Sequence, residues 1–212
     1  MRIVCRAVAT LVATAILLLP RSGAAVQSAS ELTAQAMQEC DRGQNTMSRD
    51  DRKEHFARGE VLATQAIALD DRSAAAHFAV VCNLGETLRL DGEKITSVFG
   101  LRRLMTEVDR TLALDPNHID AMATKGNLLL RLPRVFGGDA IEGERLLREV
   151  VKRDDAAVTS RIALAKTCEE RGDRDEARTF ATRALEVAER QGRADKVAEA
   201  RATLASLDAS KR

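Results

Sequence analysis

Histidine, cysteine and clustered carboxylates are the residues that could do chemistry here, and their spacing argues against it. His55, His77 and His118 lie far apart, without the spacing that brings two ligands onto one metal ion. Cys40, Cys82 and Cys168 form an odd set with no C-x-x-C pair. An oxidising compartment would allow one disulfide, but spacing selects no pair. The plainer reading, three small thiols filling apolar space, is the one adopted. No G-x-S-x-G, H-E-x-x-H, P-loop or G-x-G-x-x-G occurs, and Gly137-Gly138 lacks the Lys-Ser/Thr that a phosphate loop needs. Carboxylates stand among arginines, as in Glu169, Glu170, Arg171, Asp173 and Arg174, where solvated helix faces with i,i+4 pairs are expected. The chain is therefore read as non-catalytic, with no metal, nucleotide or other cofactor.

The elements that carry these residues are all helical. Apolar periodicity predicts helices over about 31–41, 50–69 and 73–90, then one ending at Leu114, then 117–132, 140–152, 156–170, 174–188 and 194–207. Ser30 is expected to start the first. Asp139 with Glu142, and Asp173 with Glu176, read as helix caps 34 residues apart. Each follows a glycine, Gly138 or Gly172, suited to ending the helix before it.

The same spacing recurs elsewhere. Ala66-Ile67-Ala68-Leu69-Asp70-Asp71 is echoed by Thr111-Leu112-Ala113-Leu114-Asp115-Pro116, by Val150-Val151-Lys152-Arg153-Asp154-Asp155, and more faintly by Ala184-Leu185-Glu186-Val187-Ala188-Glu189, at steps of 45, 39 and 34 residues. His77-x2-Val80-Val81-x2-Leu84, Met122-x2-Lys125-Gly126-x2-Leu129 and Arg161-x2-Leu164-Ala165-x2-Cys168 alternate large and small residues as stacked helix pairs require. So do Gly59-x3-Ala63, Gly143-x3-Leu147 and Ala177-x3-Ala181, while Leu104-x3-Val108 departs. These blocks resemble tetratricopeptide (TPR) repeats, without their aromatic residues. The expected fold is all-α: a right-handed TPR-like α-solenoid of about nine helices, four pairs and a C-terminal capping helix. Leu62, Ile67, Leu112, Leu129, Leu147, Val150, Leu164 and Leu185 are its expected core.

Domain limits follow. Arg2 and Arg6, the apolar run Ala7–Leu19, Pro20 and Ser22-Gly23-Ala24 read as a secretory signal cut after Ala24, with a retained anchor as the alternative. Cys5 precedes the apolar run and so is no lipid-attachment cysteine. Residues 25–212 form one domain, with repeats at about 30–71, 72–116, 117–155 and 156–189 and a cap at 194–207. Taking Arg2, Arg6 and Arg21 from the 33 basic residues leaves 30 against 32 acidic ones. That balance gives no basic patch, and nucleic acid is not an expected partner.

Two insertions break the period: Asp91–Gly100, and the apolar loop Leu132-Pro133-Arg134-Val135-Phe136-Gly137-Gly138-Asp139. Phe136 is expected to tuck under its own repeat. The functional alternative is a ligand lip made of Val135, Phe136, Gly137 and Gly138.

Over about 50–189 the chain resembles exported bacterial TPR proteins associated with TRAP transporters. The likeness rests on Ala76-His77-Phe78-Ala79, Leu114-Asp115-Pro116-Asn117-His118 and the 132–139 loop. Microtubule-dynamics-regulator-like TPR proteins share the architecture, but the signal argues against them. The first resemblance implies a periplasmic scaffold or adaptor for another protein or peptide, such as a transporter's solute-binding subunit. After signal removal it would not be an integral membrane protein; its oligomeric state stays open. The first helix of each TPR pair lines the concave face. On this chain that gives Phe78, Cys82 and Glu86, then Asp120, Ala123, Asn127 and Arg131, then Thr159, Ile162, Lys166 and Glu170. The alternative function is a carrier of an apolar small molecule or lipid in a pocket near Phe78, Val135 and Phe136.

Overall fold

Residues 27–92 and 97–209 are described by a computed structural model; they contain nine α-helices, one 3-10 turn and no strand. The helices are α1 Ala29–Asn45, α2 Arg49–Leu69, α3 Ala74–Asp91, α4 Ser97–Leu114, α5 Ile119–Arg131, α6 Ala140–Arg153, α7 Val158–Glu170, α8 Arg174–Arg190 and α9 Ala194–Ala209. The signal segment 1–24 lies outside the described residues, as does 93–96 of the first insertion. No helix among the described residues is long and apolar enough to cross a membrane.

Side-chain oxygens start most of these helices. Ser28 accepts from the Glu31 N–H while the Glu31 carboxylate accepts from the Ser28 N–H. This reciprocal cap satisfies two N–H groups, and it replaces the expected cap at Ser30, two residues later. Asp139 accepts from the Ile141 and Glu142 N–H groups, and Asp173 from that of Glu176, as expected. His118 caps α5 through Nδ1.

The two glycines preceding the aspartate caps do different work. Gly172 takes φ +87°, and Asp173 N–H returns to the Cys168 carbonyl, so it closes α7 in the left-handed conformation that glycine tolerates. Gly138 does not end α5. Leu132 is extended ahead of Pro133, which stops the helix, and the left-handed residue of the turn is Gly137. A Cβ on Gly138 would lie 1.7 Å from the Leu132 carbonyl oxygen, so the residue is small because the loop backbone folds back against itself there.

Successive helices fold back on each other as α1/α2, α3/α4, α5/α6 and α7/α8, and α9 covers α8 and α7. First helices also stack: α1 on α3, α5 on α7, α7 on α9. The result is a TPR-like α-solenoid. The stack is looser between α3 and α5, which scarcely touch apart from the Phe78 and His118 rings, 4.3 Å between centroids. That interruption falls in the repeat that is 11 residues longer than 34.

Close approach within pairs depends on missing side chains. On α5 and α6, a Cβ on Gly126 would meet Leu147 at 2.6 Å, and one on Gly143 the Gly126 carbonyl oxygen at 2.9 Å. Gly59 of α2 faces Asn83 of α3, whose Oδ1 would stand 2.0 Å from an added Cβ. Of the expected core, Leu129, Leu147, Val150 and Leu164 are buried. Leu62, Ile67, Leu112 and Leu185 are partly buried against the core clusters. Burying a leucine as fully as Leu147 stabilises by roughly 1.5–3 kcal/mol relative to leaving it exposed.

Candidate interaction face

The stripe assigned to α5 and α7 has the register of one helix face, since positions 120, 123, 127 and 131, and 159, 162, 166 and 170, step by three or four. Asp120, Arg131, Thr159 and Glu170 are exposed. Among the described residues none of these four side chains has an ion-pair or hydrogen-bond partner. Lys166 pairs with Glu199 of α9 at 2.7 Å, and Lys196 holds the same carboxylate at 2.8 Å. Burial pushes the Glu199 carboxyl up, but the two ammonium groups outweigh it and its pKa falls. Asn127 donates to the Ala123 carbonyl of its own helix, and Ala123 is half-buried. Ile162 is 2% exposed and packs with Val158, Ala184 and Val187, so it belongs to the core and not to a contact surface.

On α3 the stripe is internally engaged. Phe78 packs against the α1–α4 core and the His118 ring. Glu86 receives Gln44 of α1, Arg89 of its own helix and, at 3.8 Å, Arg52 of α2. Cys82 is bonded to Cys40 of α1 across 42 residues, with the Cα atoms 6.2 Å apart. This overturns the reading of three unpaired thiols. Stacking of α1 on α3 faces the two cysteines, which no spacing rule along the chain discloses.

Beside the disulfide lies a charged cluster. Glu39, nearly buried on α1, accepts from Arg42, from Arg58 of α2 at 3.1 Å, and contacts His55 Nδ1 at 2.8 Å. Burial raises the Glu39 pKa, but the His55, Arg58 and Arg42 contacts together bring it below the usual carboxylate value. His77 likewise bridges Glu107 of α4 and the Asp71 carbonyl. These histidines join helices and are not gathered into one site.

Among the described cysteines the unpaired thiol is Cys168, which is buried and donates to Glu176 at 3.2 Å. Arg148 holds Glu176 with two bonds of 2.6 Å and reaches Glu144 at 2.8 Å, while Arg171 bridges Glu144 and Glu176. Burial and then the Glu176 bond push the thiol up to about 12. Arg148 brings Glu176 down to about 2. A thiol so held is protonated at neutral pH and makes a poor nucleophile. The charged run around Arg171, expected to pair along one helix, instead ties α6 to α7 and α8.

The 132–139 loop departs from expectation too. Arg134–Phe136 form a 3-10 turn, and Val135 and Phe136 are exposed instead of tucked beneath the repeat. Both side chains project from the surface. Open depressions of about 470 and 430 Å3 lie at the opposite end of the chain, lined by Glu186, Glu189 and Arg190 and by Glu189, Val197, Ala198 and Arg201.

No protein-family model matches this chain. No curated protein matches it either. Among solved structures it is similar to "MamA RS-1 ArsTM double mutant", with 15% identity, a TM-score of 0.48, and coverage of 84% of this chain and 96% of that one. The TPR-like description accordingly stands on the helix pairing and stacking of this molecule itself.

Proposed function

We propose that this protein is a non-catalytic scaffold that holds another protein or a peptide along the exposed first-helix faces of its solenoid. One observation carries the reading: on α5 and α7, Asp120, Arg131, Thr159 and Glu170 are exposed in register and have no intramolecular partner among the described residues, while charged groups elsewhere are widely paired. A stacked array of such faces suits an extended polar contact. The surface has charges of both signs, which favours a partner of mixed polarity over a nucleic acid.

The finer form of the proposal is an exported protein of the bacterial periplasm, accessory to a solute transporter. The basic start, apolar run and small residues at 22–24 support export, and so does the Cys40–Cys82 bond, since disulfides persist in oxidising compartments. The transporter link rests on the sequence resemblance alone. The carrier reading has less support, because Val135 and Phe136 project outward.

A photo-crosslinking amino acid at Thr159, compared with one at Thr182 on α8, tests the face in the native envelope. A discrete polypeptide adduct is expected from position 159 and not from 182, weakened by Arg131→Glu with Glu170→Lys. Adducts from 182 alone would sink the proposal.

A further inference from the structure

The two cysteines of the Cys40–Cys82 bond differ in access. Cys40 on α1 is fully buried, whereas Cys82 on α3 is partly exposed, so a reagent can approach only from the Cys82 side. The charge there does not repel an incoming thiolate. Glu86, one turn further along α3, is held by Arg89 of its own helix, by Gln44 of α1 at 3.3 Å and by Arg52 of α2 at 3.8 Å. Gln44 Nε2 also stands 3.8 Å from Cys40 Sγ, which places an amide donor beside the sulfur that would leave. Apart from the bond, the α1–α3 seam is light. Asn83 donates to the Ala36 carbonyl, Gln44 reaches Glu86, and the small residues Ala36 and Ala79 share one core cluster. The α1–α2 seam is heavier. The Phe56 ring fills the space where a Cβ on Gly43 would lie, 2.4 Å away, Arg52 donates to the Gly43 carbonyl, and Arg58 donates to Glu39. With the bond open, α1 stays on α2 and loses its covalent hold on α3.

We propose that this bond is a thiol–disulfide exchange site, opened by a Cys-x-x-Cys dithiol protein that attacks Cys82. The thiolate of the dithiol bonds to Cys82 Sγ, and the Cys40–Cys82 bond breaks with its electron pair leaving on Cys40 Sγ, which takes up a proton. The second thiol of the dithiol then gives up its proton and attacks the mixed disulfide, and Cys82 leaves as a thiolate that is protonated in turn. Two electrons pass to this chain, which ends with two thiols, while the dithiol ends as a disulfide. The packing selects a dithiol over a single thiol. Because α1 stays on α2, Cys40 remains beside Cys82 and expels any adduct that no second thiol resolves at once. Cys168, the unpaired thiol among the described residues, is buried on α7 in the other half and hydrogen-bonded to Glu176, so the attacking sulfur comes from outside. The site goes beyond the scaffold reading, and it stands whether or not a partner lies along the first-helix face.

The test needs no variant of this chain, so misfolding cannot imitate a result. Full-length oxidised protein in native buffer is treated with a thioredoxin-type dithiol protein or, at equal thiol concentration, with glutathione. Samples are quenched in acid, alkylated and mapped by peptide mass. The dithiol should open the bond roughly 100-fold faster than glutathione does. When the resolving cysteine of the dithiol protein is replaced by serine, the trapped mixed disulfide should map to Cys82. In the reduced chain, amide hydrogen exchange of α1 and α3 should rise about tenfold or more while α7–α9 keep their protection. Four results would overturn the proposal. One is opening no faster than the chain unfolds, with a rate that climbs with urea as unfolding does, which would make the bond purely structural. Another is a mixed disulfide on Cys40. The third is equal rates with glutathione, which would leave a resolving thiol without a role. The last is unchanged exchange in α1 and α3 after reduction.

Discussion

The two halves of the solenoid are held together by different chemistry. In α1–α4 a disulfide joins the first helices of adjacent pairs, and Asn83, fully buried, donates to the carbonyls of Ala36 on α1 and Ala79 on its own helix. In α6–α8 the corresponding seam is a web of two arginines, two glutamates and a thiol. Both devices solve one problem. Alanine- and glycine-rich helices approach closely but bury little area per residue, so extra cross-links must hold the stack. A covalent bond is indifferent to pH and salt. An ionic web half open to solvent depends on both.

Breaking the disulfide has the largest expected effect. Closing a loop of this length stabilises by about 4 kcal/mol in the chain-entropy account. Cys40→Ala with Cys82→Ala, or reduction, should lower the urea midpoint accordingly. Hydrogen exchange should accelerate in α1–α3 before α7–α9. Uniform acceleration would mean that the two halves are one cooperative unit.

Gly59→Ala tests the same half through packing. Its new Cβ meets Asn83 Oδ1, and the overpacking should cost about 1–3 kcal/mol by thermal or urea unfolding. A neutral result would show that Asn83 swings away freely.

Arg148→Met attacks the other half. Arg171 still reaches both glutamates, and solvent screens the site, so a loss of about 1 kcal/mol is expected. The pH dependence sharpens the contrast. The Glu176 pKa is depressed to about 2, so its stabilisation is present above the ordinary carboxylate value of 4.5 and fades as pH falls toward 2. The Cys168 pKa is raised to about 12, so that contribution is present below the ordinary thiol value of 9.0 and fades as pH rises toward 12. Thiol labelling of Cys168 should therefore speed up in acid, relative to a denatured control at the same pH, before α1–α4 loosens. Arg148→Met should move that onset toward neutral pH. If labelling instead follows global unfolding at every pH, the web does not govern the C-terminal half.

The smallest effect is expected at Phe136→Asp. The side chain is exposed and caps no core, so stability should stay within about 0.5 kcal/mol of the parent in a urea melt. A large loss would return Phe136 to the structural role first expected of it.

What was legible along the chain and what was not divides by the range of the interaction. Caps at Asp139 and Asp173, the stop at Pro133 and the echo of apolar blocks are local, and each predicted its helix to within a few residues. The shift from Ser30 to Ser28 came from choosing between two serines of equal local merit. Glu31 decides it, because three residues onward is where a side chain reaches back to the cap. The role of Gly138 was misread because a backbone clash with Leu132 is set by the path of the loop. For the candidate face, the register of Asp120, Arg131, Thr159 and Glu170 was legible, but the burial of Ile162 depends on α8 and the bonding of Cys82 on α1.

By itself the sequence determined the all-helical class, the order of helices and the 34-residue pairing, because caps, breaks and 3.6-residue periodicity are properties of neighbours along the chain. Only the tertiary structure decided that Cys40 meets Cys82, that Arg148 and Arg171 close over Glu176 and Cys168, and that Phe136 faces outward. Those outcomes depend on which helix faces stack, across 42 residues for the disulfide and 28 for Arg148 and Glu176, where local propensity is silent and packing chooses.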